Sequence, residues 1–148
     1  MAKYRIEFYQ DKDGDQPVLR WLREELAPEQ RRVLGFAMKE VLQEEGIDVC
    51  GTPYGDNLGA GIFEFRLGGT VGEYLKKPDP GPAGDQKLLL RVFCHAHGDK
   101  LILLLAGYDK LANSSKPHQN EQLTLARKRL RAWQLRQAKA KAQTRRRP

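Results

Sequence analysis

Residues 87–96 (KLLLRVFCHA) and 100–107 (KLILLLAG) are two apolar runs, rich in Leu, Ile, Val and Phe, separated by His97-Gly98-Asp99. Runs of this length bounded by turn residues read as buried strands. Two of them across a short Gly-containing turn predict an antiparallel hairpin at the core of a small sheet. Arg91 interrupts the first run. A guanidinium keeps its charge and is costly to bury alone, so Arg91 is either paired or lies on an open face of that sheet.

Residues 61–67 (GIFEFRL) supply a neighbouring strand, with Phe63 and Phe65 on one side and Glu64 and Arg66 on the other. If Arg66 and Arg91 share a side, the sheet has one apolar face for helices and one cationic face for an anion. Tyr108-Asp109-Lys110 and Ser114-Ser115-Lys116-Pro117 follow the hairpin and bring further cations to its end.

Working outward, residues 4–9 (YRIEFY) alternate and predict a first strand. Pro17 suits the first turn of a helix carrying Val18, Leu19, Trp21, Leu22 and Leu26. A longer helix is expected over residues 29–45, where Val33, Leu34, Ala37, Met38, Val41 and Leu42 recur with a period near 3.6, and Gly46 ends it. Residues 47–60 read as an irregular connection. Their glycines form no phosphate loop, because no Lys-Ser/Thr pair leads into a helix. Residues 68–86 hold five Gly and three Pro and predict a long mobile excursion between strands. Its Lys76 and Lys77 are either solvated or part of a flap that touches a substrate. A final helix is expected from about Asn120, with Leu123, Ala126, Leu130 and Trp133 as its docking stripe. Beyond Leu135 the stripe fades, and residues 136–148 read as a basic, disordered tail.

At 148 residues the chain is one domain with enough length to bury a core, and residues 1–135 account for it. Its net charge of +7 is uneven. Residues 1–121 hold 16 Lys and Arg against 19 Asp and Glu, whereas residues 122–148 hold ten Lys and Arg and no acid. Such a block favours polyanions without specifying which. The start of the chain lacks a secretory apolar region, and no apolar run approaches the roughly 20 residues that span a bilayer. Cys50 and Cys94 have no zinc-like or redox spacing. The expectation is a soluble cytoplasmic protein with reduced thiols.

The order of strand, two helices, glycine-rich connection, three-strand meander and basic end resembles the RelE/HigB superfamily of toxins from bacterial toxin-antitoxin modules, in particular its phage-type HigB-like branch. The resemblance rests on Gly61-Ile62-Phe63-Glu64-Phe65-Arg66, on Arg91-Val92-Phe93-Cys94, on Leu103 to Lys110 (LLLAGYDK) and on Ser115-Lys116-Pro117. It covers about residues 3–133. Asp109 stands where such toxins often carry the first of two Lys, which places an anion beside Lys110. The resemblance implies an α+β fold, with an N-terminal strand and helical hairpin packed on a twisted antiparallel sheet and a C-terminal helix. It also implies a cofactor-free, metal-independent endoribonuclease that cuts mRNA on the ribosome and arrests translation. The implied partner is a small antitoxin, expected to be of helix-turn-helix type, with DNA met only through that complex. A ParE-like toxin that inhibits a topoisomerase by binding, and a decayed phage protein that only binds its partner, are the rival readings.

RNA cleavage of this kind uses the 2′-OH next to the scissile phosphate as nucleophile. The protein holds the attack in line, stabilises a phosphorane-like charge and moves two protons. Arg91 and Arg66 are the expected phosphate clamps, since a planar guanidinium binds phosphate at two points. Lys110 is expected to add charge, and Tyr108 to stack on a base or orient the hydroxyl. His95, on the same side of its strand as Arg91, and His118, just after Pro117, are candidate proton carriers or contacts. Lys116 is an expected RNA contact. Glu64 is a conceivable base or the ion-pair partner of an arginine.

Overall fold

The computed structural model describes residues 3–75 and 82–146. The chain forms an α+β domain on a five-stranded, mostly antiparallel sheet. In chain order the elements are β1 (Arg5–Phe8), α1 (Pro17–Glu24), α2 (Pro28–Ala37), α3 (Gln43–Glu45), β2 (Gly55–Gly59), β3 (Ile62–Leu67), α4 (Val71–Leu75), β4 (Leu90–His97), β5 (Leu101–Asp109) and α5 (Lys116–Arg146). The strands lie in the order β1-β5-β4-β3-β2. The expected hairpin is β4 and β5, and β3 joins β4 antiparallel. The sheet is not wholly antiparallel, because β1 runs parallel to β5. It can do so because the helices between them carry the chain across one face before it returns.

That face holds the larger core. Val18, Trp21 and Leu22 of α1 and Val33, Leu34 and Ala37 of α2 pack on Phe63, Phe65, Leu67, Leu90, Val92 and Leu104. Pro17 and Pro28 stand in the first turns of α1 and α2, where a missing N–H costs nothing. Gly107 is required by the closeness of α1, since a Cβ there would lie 2.5 Å from the Trp21 ring. The expected single helix over 29–45 is interrupted. After α2, Met38–Leu42 widens into a π-helical turn before α3, and Gly46, at φ 55°, ends the run against the Tyr4 ring.

Four further expectations are corrected. Residues 55–59 are not irregular but form the edge strand β2, paired with β3 and kinked between Asn57 and Gly59. Its DNLG composition carries no apolar alternation, because an edge strand facing water needs none. The 68–86 stretch is anchored where it is described. Thr70 bridges to Lys87, α4 packs beside α2, and the Tyr74 hydroxyl donates to the Gly68 carbonyl at 2.9 Å. The tail expected to be disordered from residue 136 is helical to Arg146. Finally, the second sheet face is not left open along its length, for α5 lies over part of it. Ala126, Leu130 and Trp133 pack there on Ile62, Phe93, Leu103 and Leu105. A bulge opposite Phe93 and Cys94 leaves Leu105 as an extra residue in β5. Its carbonyl accepts a 2.7 Å hydrogen bond from Arg129 of α5.

No helix among the described residues is long and apolar enough to cross a membrane.

Candidate functional site

Register brings the sequence-identified residues together. Arg66 of β3 is directly opposite Arg91 of β4, and Arg91 is directly opposite Tyr108 of β5, so all three stand in one row across the face that α5 partly covers. Adjacent strands are about 4.8 Å apart, so the row is roughly 10 Å long. Glu64 lies two residues before Arg66 on the same side of β3. Lys110 follows the end of β5, held by a 2.8 Å bond from its N–H to the Leu89 carbonyl.

The two arginines differ. Arg91 Nε is 2.8 Å from Glu64 Oε1, with side chains 12% and 7% exposed, so this ion pair is buried. Arg91 Nη1 donates to its neighbour's carbonyl, Leu90, at 3.1 Å. Arg66 is 30% exposed and faces Asp56 of β2 at 3.4 Å, a carboxylate 57% exposed. It also donates to the Gly55 carbonyl at 3.2 Å. Arg91 therefore has the carboxylate that its position in an apolar run requires, and Arg66 is the arginine that meets solvent.

Burial raises the Glu64 carboxyl above its ordinary pKa, and Arg91, then Arg66 and Lys110, oppose that rise. A carboxyl group that holds its proton more tightly although three cations oppose it is a candidate proton carrier. Tyr108 is pushed up by burial and then by Glu64. Its hydroxyl is buried without a hydrogen-bond partner, a situation that costs about 1–3 kcal/mol.

His118 comes to the cluster from α5. Ser115 Oγ accepts the His118 N–H at 3.3 Å and caps the helix, and the imidazole meets the Tyr108 ring edge-on at 5.4 Å between centroids. Lys116 stands exposed at the start of α5. His95 is not in this cluster. It shares the face with Arg91 but stands four residues further along β4, about 13 Å away at 3.3 Å per residue. There its Nδ1 is 2.6 Å from the Gly61 carbonyl and its ring lies edge-on to Trp133. Lys76 and Lys77 lie outside the described residues. Asp109 places no anion beside Lys110 on this face. Its Oδ2 turns to the helical side and accepts from Gln30 Nε2 of α2 at 2.9 Å.

Sequence reasoning undervalued Glu64 and missed Asp56 and Gln30. The alternation of Phe63, Glu64, Phe65 and Arg66 was a signal for Glu64. Asp56 gave none, because the strand that presents it has no apolar pattern. A cleft of about 400 Å³ adjoins the cluster at the free end of β5, where Trp21, Gly107, Tyr108, His118 and Arg129 form part of its wall. Among the described residues, no group of three or more His, Cys, Asp or Glu is placed to hold a metal ion. Compared with known proteins, the chain matches no family model and no curated protein.

Proposed function

We propose that this chain is a toxin of the RelE/HigB kind, an mRNA endoribonuclease of the cytoplasm that acts on ribosome-bound message and is neutralised by a small helix-turn-helix antitoxin. The observation that carries the reading is the row Arg66, Arg91 and Tyr108 on one sheet face, with Glu64 and Lys110 beside it. In this reading Glu64 takes the proton from the RNA 2′-OH as that oxygen bonds to the adjacent phosphorus. The bond from phosphorus to the 5′-oxygen breaks, and His118 supplies the proton that the leaving oxygen needs. The products are a 2′,3′-cyclic phosphate and a 5′-hydroxyl. Arg66 and Lys110 hold the non-bridging oxygens, where negative charge grows. Arg91 is a positioning residue that orients Glu64 and moderates its pKa. Tyr108 packs its ring edge-on against the His118 imidazole and so helps to place it.

Expression of the chain alone is expected to arrest growth, with primer extension detecting cuts inside translated codons. Arg66→Ala, which removes a solvent-facing cation and leaves the Arg91–Glu64 pair intact, is expected to abolish both effects while the fold persists. Uncut message in arrested cells would overturn the reading. The burial of the Arg91–Glu64 pair favours one alternative, because it accounts for Arg91 without any chemistry. That alternative is a ParE-like toxin that binds and inhibits a topoisomerase, and DNA damage with intact message would be its signature.

A further inference from the structure

The helix α5 does more than cover the sheet. Its 31 residues span about 46 Å, yet its buried stripe ends at Trp133. Arg136 makes the last tie to the body, donating to the Gln10 carbonyl at 2.6 Å and lying over the Tyr9 ring. Residues 137–145 are exposed throughout. At 100° per residue, Arg127, Lys128, Arg131, Lys139 and Arg145 fall within a sector about 120° wide, turned away from Ala126, Leu130 and Trp133. All five are exposed, as is Lys141 on the projecting end, and among the described residues none of the six makes an ion pair.

We propose that this outer face and projecting end of α5 dock the phosphate backbone of duplex RNA, at a site separate from the cluster around Glu64. The proposal rests on the nuclease reading only for its choice of RNA over DNA. A protein partner fits poorly, because after Leu135 the described helix offers no apolar side chain larger than Ala, and protein interfaces need buried apolar anchors. The cations run about 27 Å along a rigid rod, which suits phosphates already held in rows. A single strand would have to be ordered along it. Lys141 and Arg145, four residues apart, repel each other in the free helix, and an adjacent polyanion relieves that repulsion.

The test is fluorescence anisotropy of the full chain with a labelled 20-base-pair RNA duplex, over a range of salt. K139Q/K141Q/R145Q is expected to bind at least about tenfold more weakly near 0.1 M salt. Its slope of log affinity against log salt should fall by about 2 to 3. Leu135→Ala, on the same helix, should leave both values unchanged. An unaltered slope in the triple variant would overturn the proposal, and so would equally tight binding of a poly-glutamate peptide, which would point to an acidic protein partner. The assay involves no strand cleavage. Duplex binding through α5 by a protein that cuts no message would therefore count against the nuclease reading alone.

Discussion

At one end of the sheet face beneath α5, Ile62 of β3 and Phe93 of β4 are sealed under Leu130 and Trp133. At the other end, two residues away on the same strands, Glu64 and Arg91 form a buried ion pair, with Arg66 and Tyr108 alongside. Backbone geometry is shared, so the difference lies in what covers each end. The stripe of α5 reaches only as far as its apolar residues match the sheet. Where the match stops, the strands carry charge. The apolar end is held by volume, to which any well-packed side chain of the right size contributes. The polar end is held by a particular pair, and removing one member strands the other.

Four substitutions test that contrast. Phe93→Ala should have the largest effect, a loss of about 4 kcal/mol by urea denaturation, since a fully buried ring leaves a cavity between sheet and helix. A loss below about 1 kcal/mol would mean that α5 does not seal this end. Arg91→Ala should cost about 3 kcal/mol at neutral pH by leaving Glu64 buried without its cation. That cost depends on pH, and its sign is fixed. Arg91 is the strongest influence lowering the Glu64 pKa, so its removal lifts the folded-state pKa further above the unfolded one. The stability carried by protonated Glu64 is complete below the unfolded pKa and is lost as pH rises through the folded one. The deficit of Arg91→Ala relative to the parent should therefore grow from acid to neutral pH, and a pH-independent deficit would contradict a buried pair.

Tyr108→Phe removes a buried hydroxyl that has no partner, and thermal unfolding should register a gain of about 1 kcal/mol. A loss would imply a hydrogen bond to that hydroxyl. Arg66→Ala should change stability least, by under about 1 kcal/mol, because its ion pair with Asp56 is solvated. A larger loss would make Arg66 a structural residue like Arg91 and would remove the solvent-facing half of the proposed clamp.

The β4–β5 hairpin, the strand at β3 and the amphipathic α1 and α2 were legible because each carries its own period, with apolar side chains at every second or every third to fourth residue. The common side of Arg66 and Arg91 was legible up to one condition, the register between β3 and β4. Strand β2 was not, since it lies at an edge and buries little. Nor was the helical state of residues 136–146, where Ala, Lys, Gln and Arg favour a helix but no apolar stripe announces one. The separation of His95 from Arg91 was not weighed, because strand alternation specifies a side and says nothing of distance along the strand.

What the chain determined by itself is local: which segments are strands or helices with a buried face, and that ten cations gather at its end. Those properties follow from neighbouring residues and from side-chain periodicity. Only the tertiary structure decided that Glu64 belongs to Arg91, that Asp109 turns away to Gln30, and that α5 covers part of a face and then leaves it. Each of these depends on which residues of separate segments meet and exclude water, and burial of that kind sets the strength and the pKa of a charge.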